Sequence, residues 1–380
     1  MSDQPDPQTA PALLPVSALS ELITVLTAAG YEVIGPQISD GAIVYEPLES
    51  AADLPQGWID EQAGGHYRLQ QNTRPALFDY VVGPHSWKRY LFPPRQRLWR
   101  AERNEQGFQI NTDQPTSPRY AFIGVRSCEI QAMQIQDRVF NNGHFADPGY
   151  QTRRENAFIV AVNCARPGGT CFCVSMDSGP KARQGFDLAL TEILDDERHV
   201  FMVETGSDRG RDILAQLALT PADMTDINAA SAVTQNAVKN MQKAMPDGVE
   251  ALLKRNLEHP QWEAVAQRCL SCGNCTMVCP TCFCTTVEDS TDLSATVAER
   301  WRQWDSCFSV DFSYIHGGSI RREGYSRYRQ WMTHKLAHWH DQFDSSGCVG
   351  CGRCVTWCPV GIDITEEARA IQDSENEAST

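Results

Sequence analysis

No stretch of this 380-residue chain stays apolar long enough to cross a bilayer, and runs such as residues 157–162 end after one strand's length. The opening Met1-Ser-Asp-Gln-Pro-Asp-Pro lacks the basic start, twin arginine and apolar centre of an export signal. Positive charge is scarce: 33 Lys and Arg against 48 Asp and Glu leave a net charge of -15. That balance argues against a general binder of nucleic acid or of an anionic membrane surface. No Gly-x-Gly-x-x-Gly follows an apolar strand and there is no phosphate loop, so nothing points to a dinucleotide or nucleoside triphosphate site. The paired Arg-x-Cys-x-x-Cys and Asp-Pro-Cys-x-x-Cys motifs of a nickel–iron centre are also missing. From these absences the expectation is a cytoplasmic protein with no membrane insertion, an electron-transfer subunit without a substrate-transforming site of its own.

Cysteine, by contrast, is plentiful. Fifteen cysteines in a small secreted chain would suggest disulfides, but here the chain is long, the count is odd and the spacings are those of metal ligands. Two ladders share the pattern C-x2-C-x2-C-x3-C-P: Cys269, Cys272, Cys275, Cys279 with Pro280, and Cys348, Cys351, Cys354, Cys358 with Pro359. This is the spacing of a two-cluster ferredoxin, in which the fourth thiolate of each run serves the other cluster. The expected ligand sets are Cys269, Cys272, Cys275 and Cys358 for one [4Fe–4S] cluster, and Cys348, Cys351, Cys354 and Cys279 for the second. Structural zinc is the alternative, but its sites bring two ligand pairs from separated segments, which two complete ladders fit poorly.

The fold class expected is α+β overall. Residues 1–15, rich in Pro and Gln, read as a disordered tail. Residues 16–220 read as an α/β domain with a mixed or parallel sheet. In it, Leu19, Leu22, Ile23 and Leu26 share one helical face that stops at Gly30. Residues 31–35 and 42–45 read as strands joined by a turn at Ser39-Asp40-Gly41. Tyr120–Val125, a helical pattern over 129–140 and an apolar run over 157–162 make a strand–helix–strand unit of the kind that builds buried parallel sheets. Residues 186–194 and 199–204 add strands, and 212–219 a closing helix. Residues 221–248 read as a helical connector. Residues 249–372 read as a mostly helical ferredoxin-like dicluster domain with a long insertion, entered by one helix over 249–268. Residues 373–380 form an acidic tail.

Loops after parallel strands face one side and usually carry the site. Cys128 and Cys164 occupy two such loops, and Cys171-Phe-Cys173 follows Pro167-Gly-Gly169. Two readings stand for these four thiols: a third cluster, or buried cysteines packing as small apolar residues. The 68 residues between Cys279 and Cys348 contain three more thiols, Cys282, Cys284 and Cys307. With no fourth partner they are left unassigned. Thr-Cys-Phe-Cys and Ser-Cys each occur in both halves, at 170–173 with 127–128 and at 281–284 with 306–307, either as a weak repeat or by coincidence. The insertion interleaves Arg300, Arg302, Arg321, Arg322, Arg327, Arg329 and Lys335 with aromatics. Such a pattern can bind single-stranded nucleic acid, but beside anionic clusters it fits better as local charge compensation. The stretch 82–95 mixes aromatic, basic and proline residues and reads as a packed loop.

With those residues in view, the chain resembles the iron–sulfur β subunit of cytoplasmic sulfhydrogenases, the NAD(P)-linked [NiFe] hydrogenases. It is similarly close to the dicluster iron–sulfur subunit of anaerobic sulfite reductase. The resemblance runs from about residue 31 to residue 364. It rests on Val82-Gly-Pro-His-Ser-Trp-Lys88, Gly124-Val-Arg-Ser-Cys-Glu129, Cys171-Phe-Cys173, the run Cys272 to Cys284 with its fused Cys-Pro-Thr-Cys-Phe-Cys, Trp304-Asp-Ser-Cys307 and Cys348-Val-Gly-Cys-Gly-Arg-Cys354. Where the β-subunit pattern often has Arg-Pro-Cys-Asp, this chain has Arg126-Ser-Cys-Glu129, which leaves the role of Cys128 open. The resemblance implies an electron-transfer subunit in a larger complex. Its partners would be the large and small [NiFe] subunits and a flavin- and [2Fe–2S]-carrying NAD(P)-linked subunit, with ferredoxin as a further acceptor. In the sulfite reductase alternative the same chain feeds a sirohaem subunit.

Overall fold

The computed structural model describes residues 10–81, 83–112 and 118–378. Four consecutive positions in its main sheet run parallel: Glu32–Ser39, Tyr120–Val125, Phe158–Val162 and Leu188–Leu194. Tyr120–Val125 and Phe158–Val162, at the centre, are buried on both faces, which explains why their sequences read as unbroken apolar runs rather than alternations. Antiparallel strands complete an eight-stranded mixed sheet: Ala42–Pro47 at one edge, and His199–Thr205, Ala12–Pro15 and Thr220–Pro221 towards the other. Ala12–Pro15 lies in the stretch expected to be a tail; it pairs with His199–Thr205 and buries Leu14. The rest of that expected tail, residues 1–9, lies outside the described residues.

Helices cover both faces. Leu19–Ala28 and Asp208–Leu214 pack Leu22, Ile23, Leu26 and Ile213 against Phe158, Val160, Leu190 and Phe201. Ser127–Phe140 and Pro148–Asn156 pack Ile130, Met133, Phe140 and Tyr150 against Phe122, Ile159 and Ala161. Each such fully buried large side chain contributes about 1.5–3 kcal/mol relative to exposure. The helix expected over 212–219 starts earlier, because the Ser207 side chain accepts the Gly210 N–H and fixes the N-terminus there. Met224–Lys239, in the stretch read as a connector, is a helix packed on strands Leu188–Leu194 and His199–Thr205.

The helix expected over 249–268 is two helices, Val249–Arg255 and Gln261–Arg268. Pro260 lacks an N–H and restricts the residue before it, so one continuous helix cannot form. Beyond the first ladder, the hairpin Thr285–Thr291 and Val297–Trp304 joins Arg95–Asn104 and Gly107–Asn111 in a four-stranded antiparallel sheet. Helix Gly324–Thr333 then widens into a π turn at His334–His338 before Trp339–Phe343. Trp262, Tyr328, Trp331, Met332, Leu336, Ile364, Ala368 and Ile371 form the core around the ladders. Helix Ile364–Ala378 runs through most of the stretch read as an acidic tail; residues 379–380 lie outside the described residues. Among the described residues, no helix is long and apolar enough to cross a membrane.

Candidate metal centres

Both ladders obey one backbone rule. Two residues after the first cysteine the chain turns left-handed, at Ser271 (φ 51°) and Gly350 (φ 62°), and again at Gly273 and Gly352 (φ 74° and 75°). Short helices Asn274–Met277 and Arg353–Thr356 start there. The turns aim backbone N–H groups at sulfur: Ser271 at Cys269 Sγ (3.4 Å), Gly350 at Cys348 Sγ (3.5 Å) and Ile362 at Cys358 Sγ (3.4 Å). Donors so placed stabilise thiolate and lower the cost of burying it. Gly352 has a second reason to be glycine, since a Cβ there would stand 2.4 Å from the Thr170 carbonyl oxygen.

Twelve of the fifteen thiols border three cavities. Cys269, Cys272, Cys275 and Cys358 line the first, of about 430 Å³, with Tyr328 and Trp331. Cys279, Cys348, Cys351 and Cys354 line the second, of about 350 Å³, with Thr281 and Lys335. The second cavity takes three thiols from its own ladder and one from the other, and the first takes three from its own and two from the other. Cys128, Cys164, Cys171 and Cys173 line a third, of about 360 Å³, with Arg126 and Met241. Cys354 also lines the first cavity and Cys351 also lines the third, so the three stand in a row sharing walls. Cys272, in the first cavity, is exposed, whereas Cys128, Cys171 and Cys173 are buried.

Among the described residues, no three His, Cys, Asp or Glu side chains are placed to hold one metal ion. The sulfurs border enclosed volumes, the arrangement an inorganic cube requires. Two buried donors agree with an anionic, sulfur-rich occupant. The Tyr328 hydroxyl and the Trp331 indole N–H find no protein partner, and both residues line the first cavity.

Burial pushes the thiols of Cys275, Cys354, Cys128 and Cys173 up, so without a cation nearby they stay neutral. Cys279 goes the other way. The Cys282 thiol donates to it, and Lys335 and Thr281 add to the effect, holding Cys279 well below the ordinary thiol range. Lys335 Nζ lies 3.3 Å from Cys279 Sγ and 2.8 Å from Thr281 Oγ1. Burial works against its charge, but the sulfurs of Cys279, Cys282 and Cys348 outweigh that and keep it protonated. A second buried amine, Lys88, is pushed down to about 8 by burial; it lies 3.2 Å from the Cys282 carbonyl oxygen and 3.8 Å above the Trp304 ring.

The insertion's cations divide by use. Lys335 reaches a ladder thiol, and Arg327 reaches Ser271 Oγ at 3.2 Å. Arg300, Arg302 and Arg329 instead pair with Asp289, Asp147 and Glu258. Lys335 is thus set against a ladder thiol, while the hairpin carries Arg300 and Arg302 into the four-stranded sheet. The 82–95 stretch packs as a loop, with Trp87, Leu91 and Phe92 buried; Val82 lies outside the described residues. Sequence reasoning missed Glu129, Arg353 and Lys88 as parts of the site. Arg353 lies inside the second ladder and reaches Glu129, next to Cys128.

Residues 268–362 match the 4Fe-4S dicluster domain family. With two ladders and their convergent thiols, the chain is an iron–sulfur protein of the dicluster class. It is 32% identical over 289 residues to sulfhydrogenase 2 subunit beta of Pyrococcus furiosus, a match that covers 74% of this chain and 82% of that protein. The chain thus belongs to the family of sulfhydrogenase β subunits, and is an iron–sulfur electron-transfer subunit. No solved structure matches it.

Proposed function

We propose that this chain is the internal wire of a cytoplasmic [NiFe] hydrogenase complex. It would carry electrons between a flavin- and [2Fe–2S]-bearing NAD(P)-linked subunit, or ferredoxin, and the large and small [NiFe] subunits. Cys269, Cys272, Cys275 and Cys358 would hold one [4Fe–4S] cluster, and Cys279, Cys348, Cys351 and Cys354 a second. Cys128, Cys164, Cys171 and Cys173 would hold a third. Bound clusters of this kind take up and release one electron at a time.

The observation that carries this reading is the row of three thiol-lined cavities joined by Cys354 and Cys351. The chain's own residues keep water out, with Phe172 and Trp331 among the walls, and place donors and Lys335 beside sulfur. Exposed Cys272 puts one end of the row near the surface, where a partner's centre can approach. Anaerobic capture of a tagged chain from its source tests the assignment. Recovery of hydrogenase large and small subunits with a flavoprotein is expected. Recovery of a sirohaem protein instead would move the chain to the sulfite reductase complex.

A further inference from the structure

Cys282, Cys284 and Cys307 line none of the three cavities. Cys284 immediately precedes strand Thr285–Thr291, and Cys307 follows shortly after strand Val297–Trp304. The register Thr285 opposite Trp304, and the Asp305 N–H donated to the Cys284 carbonyl at 2.8 Å, clamp the two ends of this hairpin together. Both cysteines stand at this clamped end, and Cys307 is the largest influence lowering the Cys284 thiol. Cysteines held at one end of a hairpin are candidates for bonding, since a disulfide asks mainly for nearby, suitably directed Cβ atoms.

The position of this hairpin end is equally telling. Cys282 donates its thiol to Cys279, a wall of the second cavity. On the other side, Ser306 Oγ accepts from Thr276 Oγ1 at 2.8 Å, next to Cys275 of the first cavity. The pair therefore sits at the flank of both ladder sites, half-buried, with the amines of Lys335 and Lys88 close by.

We propose that Cys284 and Cys307 are a redox-active dithiol–disulfide pair exchanging two electrons with the adjacent iron–sulfur carriers. This rests on the electron-transfer function proposed above. On oxidation both S–H bonds break and one bond forms between Cys284 Sγ and Cys307 Sγ. Two protons go to solvent, and two electrons leave singly to one-electron iron–sulfur acceptors. Reduction reverses each change. The pair would thereby join one-electron traffic to a two-electron store.

The test uses the anaerobically purified full-length protein, poised with dithionite or with a mild oxidant, acid-quenched, alkylated and mapped by mass spectrometry. A Cys284–Cys307 linked peptide is expected in the oxidised sample and should vanish in the reduced one. Cys284→Ser and Cys307→Ser should abolish it while leaving iron, acid-labile sulfide and cluster spectra at wild-type levels. Full iron content with no linked peptide at any potential would overturn the pair. Loss of about four irons in either variant would also overturn it, by making these thiols cluster ligands. A wild-type protein without iron would instead contradict the electron-transfer function, so the two failures are distinguishable.

Discussion

Glu129 Oε1 accepts from the Arg353 guanidinium at 2.5 Å, and both side chains are 1% exposed. Arg353 stands between Cys351 and Cys354 of the second ladder, and Glu129 follows Cys128, so this pair fixes the third cavity against the second. Arg353 also donates to the Gly83 and His85 carbonyls, while Tyr45 Oη and Trp87 Nε1 donate to Glu129. Removing one member leaves a buried charge alone. Arg353→Met should cost about 3–5 kcal/mol, and Arg353→Met with Glu129→Gln should recover part of it. Anaerobic denaturant titrations of both variants check this; an unchanged midpoint in the single variant would contradict the role.

The proposed ligand sets separate by substitution. Cys275→Ala should remove the signal of the first site, Cys279→Ala that of the second, and Cys171→Ala that of the third, each with a loss of about four irons. Paramagnetic resonance of the reduced variants is the measurement. If Cys275→Ala and Cys279→Ala lost the same signal, the crossed assignment would be wrong.

Lys335 places a full positive charge 3.3 Å from Cys279 Sγ. A charge at such range, in a partly screened interior with an effective dielectric constant of about 20, interacts by about 4 kcal/mol at 4 Å. Adding an electron to the second site is therefore easier with Lys335 present. Lys335→Met should lower that site's potential by on the order of 100 mV, and Lys335→Arg should lower it less. Redox titration followed by resonance spectroscopy reads both.

His334 packs near Phe283 and Trp339, and burial pushes its imidazole down to about 4. The unfolded chain takes up that proton near pH 6.5. As pH falls from about 6.5 to about 4, the unfolded state binds a proton the folded state refuses, so stability drops through that window. His334→Gln should therefore lose less stability than the wild type between pH 7 and 5. Parallel slopes would contradict a neutral buried His334.

The elements that sequence revealed best were those with one dominant constraint. Tyr120–Val125 and the run beginning at Phe158 announced a parallel sheet because strands buried on both faces admit only apolar residues. The ladders were legible because cluster ligation fixes cysteine spacing locally. Contacts distant in sequence were not legible. Nothing in residues 95–111 signals pairing with the insertion's hairpin, since those strands are mostly polar and half-buried or exposed. Arg353 and Glu129 are separated by more than 200 residues and look like ordinary charges until the fold buries them. Lys335 stood in a row of cations, and only the π turn singles it out. The gathering of Cys128, Cys164, Cys171 and Cys173 was half-legible: the βα loops suggested it, and the packing of Gly350 and Gly352 on residues 170–173 brings it to the second ladder.

The central claim is that three thiol-lined cavities in a row hold electron-carrying cubes. Iron and acid-labile sulfide, measured per chain on oxygen-protected protein, test it most directly. About twelve of each are predicted. About eight would return Cys128, Cys164, Cys171 and Cys173 to plain packing, and a protein free of iron and sulfide would contradict the account.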